Sequence, residues 1–482
     1  SRDNDNARER GLLMNEIITE IINTLKDSST FLEAELALER LLQQINQQLL
    51  STAFKQIDLE LLPEYKEKGY EIDSVPKRTL CMTVGPVGIA RHRMRKEGEK
   101  SIIPFDQAIG LKPRKRHSPL VEMKAAQIAS DGTYRKAEEA IDLLTPYALS
   151  HTSIHTMTQN IGETIQEWTD VTPLHDETPK KQKKKIPVLF IEGDGLMLTK
   201  GKEKKRPEIH RIQFHEGVAF PGKQKRLVLI NSKMFESTVS SKDAFRRASL
   251  WLESIYDIRE TIVISNSDGG SGYEKDKFNQ IIGKCQRHEH FRDAYHVNEK
   301  IKQRLCFDKP MEKKMRKAVR TYDWNLVEAI IATRESRIRS NDEKAMEYRE
   351  NLTKLKAYLY RNWDSLKPLK LRDLPVSKGL GVCESNHRPY SYRMKRQGRG
   401  FSAKGAGNLA AIISARKNGT FLHAITESIP DLLTELPQEF KGAVREALKK
   451  GKTRPSIGVK IGKIANYDSS SSPMGQLHKI FN

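Results

Sequence analysis

Apolar residues recur at helical spacing from the start of the chain. Leu12, Leu13, Ile17, Ile18, Ile21, Ile22 and Leu25 form one stripe, and Leu38, Leu41, Leu42, Ile45 and Leu49 form a second. Residues 7–58 are therefore expected to be helices packed in a local core. Fewer than four clean heptads are present, so a dimerising coiled coil is the second reading of the 1–60 region. Residues 61–118 are mixed. The stretch 78–91 predicts two short strands around a Gly85-Pro86 turn. The basic cluster Lys112, Arg114, Lys115, Arg116 and His117 suits phosphate contact or a solvated loop equally well. Helical spacing returns over 119–170. A helix at 133–144 stops before Pro146, and Ser150 is the expected N-cap of the next. Two helices joined by a tight turn, the second rich in Ser, Thr, His and Gln, suit a helix-turn-helix, although many helical hairpins share the pattern. Residues 171–186, with Pro173, Pro179 and a run of lysines, read as a basic linker.

At Ile186 the period changes. Residues 186–194 predict a buried strand that ends at Asp194, and 208–220 and 226–235 are two more strand candidates. An amphipathic helix at 241–258 is expected to be capped by Ser240 or Ser241. Residues 260–268 predict a fourth strand, and 275–284 the next helix. This order makes an α/β core over 187–296. Residues 297–370 turn strongly helical, with Pro310 as the interruption, and read as an insertion. The α/β elements are expected to resume over 371–425, including a small-residue helix at 403–417 stopped by Gly419. Residues 426–482 read as a C-terminal helix and a loosely ordered tail.

Composition narrows the function. Lys plus Arg is 84 and Asp plus Glu is 62, a net charge of +22. That excess favours a nucleic acid or an anionic membrane surface as partner. No apolar run approaches a membrane span, and the opening residues are too polar for a secretory signal. Four scattered cysteines, Cys81, Cys285, Cys306 and Cys383, fit reduced thiols in a cytosol better than a disulfide framework. A cytoplasmic protein acting on DNA or RNA is the expectation, without a membrane partner.

Three acids carry the candidate chemistry. Asp194 and Asp268 each close a predicted strand and are followed by glycine. Glu384 precedes a stretch free of acids as far as Glu427. That stretch holds Arg388, Arg393, Lys395, Arg396, Arg399, Lys404, Arg416 and Lys417, interleaved with Tyr390, Tyr392 and Phe401. Carboxylate oxygens suit Mg²⁺, and a metal-holding group beside a basic, aromatic strip suits a polyanion track. Asp-Gly strings are also ordinary turns, so the case rests on the order of elements joined with Glu384. Cys285, His288 and His290, with Cys306, match no common zinc-finger spacing.

Several strings run in a recognisable order. They are Ile191-Glu-Gly-Asp194-Gly195, Ser267-Asp268-Gly269, Asp293-Ala-Tyr-His296-Val-Asn, Glu384-Ser-Asn-His-Arg388 with Arg393-Met-Lys395, then Gly398, Phe401-Ser402 and Gly405. Together they resemble the ISLre-type insertion-sequence transposases of bacteria, which resemble the wider Mutator-like group of DDE transposases. The likeness covers most of the chain, including 61–91. It implies an α/β RNase H-like catalytic core with an all-helical insertion, preceded by a mainly helical N-terminal DNA-binding region. It implies Asp194, Asp268 and Glu384 as the catalytic triad that holds two Mg²⁺ ions, with Mn²⁺ able to substitute. Asp293 and His296 match the family's Asp-x-x-His motif, with a positioning role near the site. The partners implied are DNA, as terminal inverted repeats and target, and further copies of the chain as a homodimer or larger assembly on DNA. A nucleoid-associated protein in a bacterial cytoplasm follows. The strip Arg388, Tyr390, Tyr392, Arg393, Lys395, Arg396, Arg399, Phe401 and Lys404 would then bind DNA. A nuclease of the same fold without strand transfer, and a domesticated DNA-binding protein, are the alternatives. Pro389 departs from a simple picture. A helix starting at Glu384 would carry it just past the first turn, which predicts a helix start at Asn386 or later with Glu384 at its lip.

Overall fold

The computed structural model describes residues 2–175, 183–199, 201, 206–219, 228–340, 342–396 and 399–429, with side chains for all of these except 2–14, 174–175 and 384–385. Residues 176–182 of the basic linker, Gly398 and the tail from 430 onward lie outside the described residues.

Two long helices open the chain, α1 (Arg2–Asp27) and α2 (Phe31–Glu67), the second capped by the Thr30 hydroxyl. Among the described residues the local core expected here forms only in part, with Ile17, Ile21, Leu38, Leu41 and Ile45 half-buried. Ile18, Ile22, Leu25, Phe31, Leu32, Leu36, Leu42 and Leu49 are exposed, and Ala34 and Leu62 are the only buried aliphatic residues of α2. Two helices side by side form one layer, which leaves an outer face uncovered. Four short strands follow: β1 (Glu71–Ser74), β2 (Lys77–Met82), β3 (Gly85–Ala90) and β4 (Arg93–Arg95). β2 and β3 form an antiparallel hairpin, and β1 pairs with β4. Thr83 and Val84 make the hairpin turn, and Gly85, at φ +106°, opens β3 instead of forming the turn with Pro86.

Next come α3 (Pro104–Ala108), α4 (Pro119–Asp131), α5 (Tyr134–Leu144) and α6 (His151–His175). The Ser150 hydroxyl accepts from Ser153 N at 3.2 Å, as its N-cap role requires. The core elements are β5 (Val188–Met197), β6 (Glu208–His215), β7 (Val218–Ala219), β8 (Val228–Leu229), β9 (Lys233–Ser237), α7 (Ser241–Ile255), β10 (Ile262–Ser267), α8 (Lys275–Ile282) and β11 (Arg287–Arg292). Four helices follow, α9 (Ala294–Arg304), α10 (Lys309–Thr321), α11 (Trp324–Ser336) and α12 (Glu343–Leu366). The last are α13 (Val382–Asn386), α14 (Arg388–Met394), α15 (Ala403–Asn418) and α16 (Phe421–Glu427).

Five strands form one sheet in the order β11-β10-β5-β6-β9. β5, β10 and β11 are parallel, and β6 runs against both β5 and β9. Alternation along β5 assigns its two faces. Leu189 and Ile191 meet Phe245, Ala248 and Leu252 of α7 and Phe278 of α8. Val188 and Phe190 meet Ile264, Phe291 and the 369–380 segment. Farther along that second face, Leu196 and Ile209 pack on Leu409, Ala410 and Ile413 of α15. α15 is small-residue-rich because it lies between the sheet and α6. A Cβ on Gly162 of α6 would stand 2.3 Å from Asn408 O. Ile161, Ile165 and Trp168 of α6 are buried with Ala411 and Ile412 of α15. α6 is therefore a packed 25-residue helix, longer than the short second helix that a helix-turn-helix at 150 implies.

α9–α12 carry their own apolar core, including Ile301, Met315, Val327, Leu352 and Leu359. Pro310 opens α10 just after the Asp308 cap, where a missing N–H costs nothing, so it starts a helix instead of interrupting one. The expected return to α/β pattern after 371 brings no strand among the described residues. A 3₁₀ turn at Leu369–Leu371 and an irregular stretch lead into α13.

Candidate functional site

The two candidate aspartates meet through strand register. Ser267 pairs with Gly193 on one side and with Arg292 on the other. The next residues, Asp194, Asp268 and Asp293, therefore share one level on three neighbouring parallel chain segments. Asp293 N donates to Ser267 O at 2.8 Å, which keeps that level. Two residues back on the same face stand Glu192, Asn266 and Phe291.

Asp194 is not at a strand end, as the sequence suggested. β5 continues to Met197 because β6 pairs with it as far as Glu208. Gly193 answers crowding instead of a turn, since a Cβ there would stand 2.9 Å from Tyr273 and 3.0 Å from Phe278. Asp268 does follow its strand. Its Oδ1 accepts from Gly270 N at 2.8 Å. Gly269 sits at φ +65°, a conformation strained for other residues, and a Cβ there would also displace the Arg292 guanidinium. Arg292 is held in turn by Asn362 Oδ1 of α12, at 3.0 Å from Nε and 2.6 Å from Nη2. The helical insertion thus braces the turn that carries Asp268.

Asp293 caps α9, accepting at Oδ1 from Tyr295 N at 2.9 Å and His296 N at 3.2 Å. His296 Nδ1 lies 3.1 Å from the same oxygen. That hydrogen bond raises the His296 pKa, and the charges of Asp194, Asp293 and Asp268 add to the rise. Burial pushes the Asp293 carboxyl up, but the His296 side chain and backbone hold it below its ordinary value overall. Asp194, Asp268, Asp293 and His296 therefore form one electrostatic group.

Two residues that the sequence did not single out tie α13 to this group. Glu192 is fully buried and accepts from Gly381 N at 2.9 Å and Cys383 N at 2.7 Å. Burial pushes its carboxyl up to about 7, against the pull of those two backbone bonds. At the other end of α13, buried His387 lies 2.8 Å through Nε2 from Asp194 Oδ2 and 2.8 Å through Nδ1 from Arg211 Nη1. A guanidinium only donates, so Nδ1 accepts and the ring proton sits on Nε2, donated to Asp194. Arg211 stands opposite Asp194 on β6 and is itself fully buried. Segment 381–387 is thus pinned to β5 at both ends, and Glu384 lies between the pins on α13. The side chain of Glu384 lies outside the described residues. The helix carrying Glu384 does not begin at Asn386 or later, as expected. It ends at Asn386, and Pro389 falls in the first turn of α14, where proline is favoured. An i, i+2 alternation from Asp194 singles out Glu192, and His387 is three residues from Glu384, so both were within reach of the pattern.

The basic strip divides. Tyr390 and Arg393 do not face solvent as expected of DNA contacts. The Tyr390 hydroxyl bonds Ser414 Oγ at 2.7 Å, and Arg393 Nε donates to Ala129 O at 2.9 Å beneath the Tyr134 ring. They lie on the buried side of α14, which packs on α15 and α4. Phe401 is half-buried against the α15 cluster. Arg388, Tyr392, Lys395, Arg396, Arg399 and Lys404 are exposed, and Lys404 pairs with Glu163 at 2.9 Å. The zinc arrangement finds no support among the described residues. His288 Nε2 and His290 Nδ1 both contact buried Ser265 Oγ, at 2.7 and 2.8 Å, and Cys306 is exposed on the insertion.

Asp194 and Asp268 supply hard oxygen donors from adjacent segments, a donor type that fits Mg²⁺. Among the described residues no group of three or more His, Cys, Asp or Glu side chains is placed to hold a metal ion. Glu384 is the residue that would complete such a set. Among the same residues no helix is long and apolar enough to cross a membrane. A curated protein of Streptococcus gallolyticus, named "UPF0236 protein in vanSb 3'region", is 37% identical over 463 residues, which are 96% of this chain and 99% of that protein. The model of the uncharacterised protein family UPF0236 matches residues 24–427, and the chain belongs to that family.

Proposed function

We propose that this protein is a DNA transposase with an RNase H-like catalytic core, which cleaves one strand at an element end and joins the freed 3′-hydroxyl to target DNA. The observation that carries the reading is the row of Asp194, Asp268 and Asp293 across parallel segments, with the helix bearing Glu384 pinned over it. A five-stranded sheet with one reversed strand next to the central one, and acids on the adjacent parallel strands, is the architecture such a core requires. The helical insertion between Asp268 and Glu384 agrees with the same resemblance.

Asp194, Asp268 and Glu384 would hold Mg²⁺, which would supply Lewis-acid activation of a water or 3′-hydroxyl and charge stabilisation for the leaving oxygen. His387 holds Asp194 in one orientation through its Nε2–H. Glu192 fixes the start of α13 through two backbone amides. Asp293 and His296 act as positioning residues, with the His296 proton held toward the acidic group. The exposed cations Arg388, Lys395, Arg396 and Arg399 suit the DNA backbone.

A labelled duplex carrying the DNA that flanks this reading frame, incubated with the protein and Mg²⁺, tests the proposal. Joined products support transposition. Nicking without joining supports the nuclease alternative, and binding alone supports a domesticated DNA-binding protein. Full activity in Asp194→Ala or Asp268→Ala would remove the proposed site.

A further inference from the structure

A second basic site lies on the insertion, apart from the strip after Glu384. A cavity of about 800 Å³ opens between α10, the start of α9, the 365–369 turn and the Asp293–Gly381 edge of the acidic group. That volume is in the range of sites that hold compact ligands. One wall is cationic: Lys313, Arg316, Lys317 and Arg320 of α10 face it, and Lys367 stands at its other side. Glu312 pairs with Arg316, whose Nε is buried without a hydrogen-bond partner. Lys313, Lys317 and Arg320 are exposed and carry no carboxylate partner among the described residues. Like charges at i, i+4 and i+7 on one helix repel each other, a cost that an anionic occupant would offset. The floor between the walls is apolar, from α9, α10 and the 366–369 turn. Tyr295, 57% exposed, stands at the rim beside Asp293.

A row of cations along an apolar floor with an exposed aromatic ring is the chemistry of single-stranded nucleic acid, phosphates on the cations and bases on the ring. We propose that this groove binds a short single-stranded polynucleotide segment entering or leaving the acidic group. A duplex backbone would use the cations but not the floor or Tyr295. The proposal rests on the nucleic-acid reading above.

Fluorescence anisotropy of the full chain tests it, with a short labelled oligothymidine strand and a duplex of equal length, each over a salt series without Mg²⁺. The triple variant Lys313→Ala, Lys317→Ala, Arg320→Ala is expected to bind the single strand at least tenfold more weakly. Its log K against log salt slope should fall by about 2, for three lost phosphate contacts. Duplex affinity should change by less than about twofold. Tyr295→Ala is expected to lose about tenfold on the single strand with the slope unchanged, because stacking releases no counterions. A control triple of equal charge, Lys136→Ala, Lys302→Ala, Lys354→Ala, on exposed lysines away from the groove, should move neither affinity by more than about twofold. Unchanged single-strand binding in the α10 triple, or equal loss with the control, overturns the groove while duplex binding by the unaltered chain upholds the wider reading. Failure of the unaltered chain to bind either strand form overturns both.

Discussion

At the scale of single residues, the site depends on a proton donor and a buried acid. His387 gives its Nε2 proton to Asp194 because Arg211 occupies Nδ1. His387→Ala frees Asp194 to rotate, and if Asp194 is the metal ligand proposed above, strand cleavage should fall about 10–100-fold, the usual cost of losing a group that orients such a ligand. Unchanged cleavage by a correctly folded His387→Ala protein counts against this role. Glu192 sets a pH dependence. Its folded carboxyl titrates at about 7, above the ordinary value near 4.3 for an unfolded chain. The folded protein then binds this proton more tightly. The associated stability is complete below the unfolded value and lost as pH rises through about 7, in total about 4 kcal/mol. Urea midpoints of the unaltered protein and Glu192→Gln should therefore diverge between pH 4.5 and 7.5, and parallel curves would contradict it. Asp194 and Asp268 were legible as Asp-Gly strings. Glu192 was within reach as the i, i+2 neighbour of Asp194, but the backbone amides that hold it were not. Gly381 and Cys383 come from a segment far along the chain.

At the scale of elements, glycine and arginine report the packing. Gly→Ala in an exposed helix stabilises by about 1 kcal/mol. Gly162→Ala in α6 should do the opposite, because its Cβ would stand 2.3 Å from the Asn408 carbonyl of α15, and a loss of about 1–3 kcal/mol is expected by urea denaturation. Arg393→Ala should also destabilise by about 1–3 kcal/mol, through the lost Ala129 bond and Tyr134 contact. It should leave the salt dependence of DNA binding unmoved, whereas a flattened slope would mean that Arg393 reaches DNA. Helices α7, α8 and α15 and strands β5 and β10 were legible because apolar runs, caps and Gly419 mark them. The role of α6 was not, since a helix rich in Ser, Thr and His looks polar until α15 supplies its partner. The exposed stripe on α1 and α2 misled in the other direction. Helical spacing identifies an apolar face but not what covers it.

At the scale of the molecule, the +22 charge was the most legible property, and its division was hidden. The strip after Glu384 splits by the period of α14 into buried Tyr390 and Arg393 and exposed Arg388, Tyr392 and Arg396. Joint replacement of Arg388, Arg396 and Arg399 by alanine should reduce the salt slope of duplex binding by about 3, and an unchanged slope would place the track elsewhere. Nothing in the sequence joined Asp268 to α12, because the link runs through Arg292 and Asn362. The most direct measurement of the central claim is strand cleavage of the flanking-DNA duplex with Mg²⁺ by the unaltered protein, Asp194→Asn and Asp268→Asn. Nicks with 3′-hydroxyl ends and joined products are expected from the unaltered protein, and none from either variant while both still bind the duplex. Equal cleavage by the variants, or none by a DNA-bound unaltered protein, would contradict it.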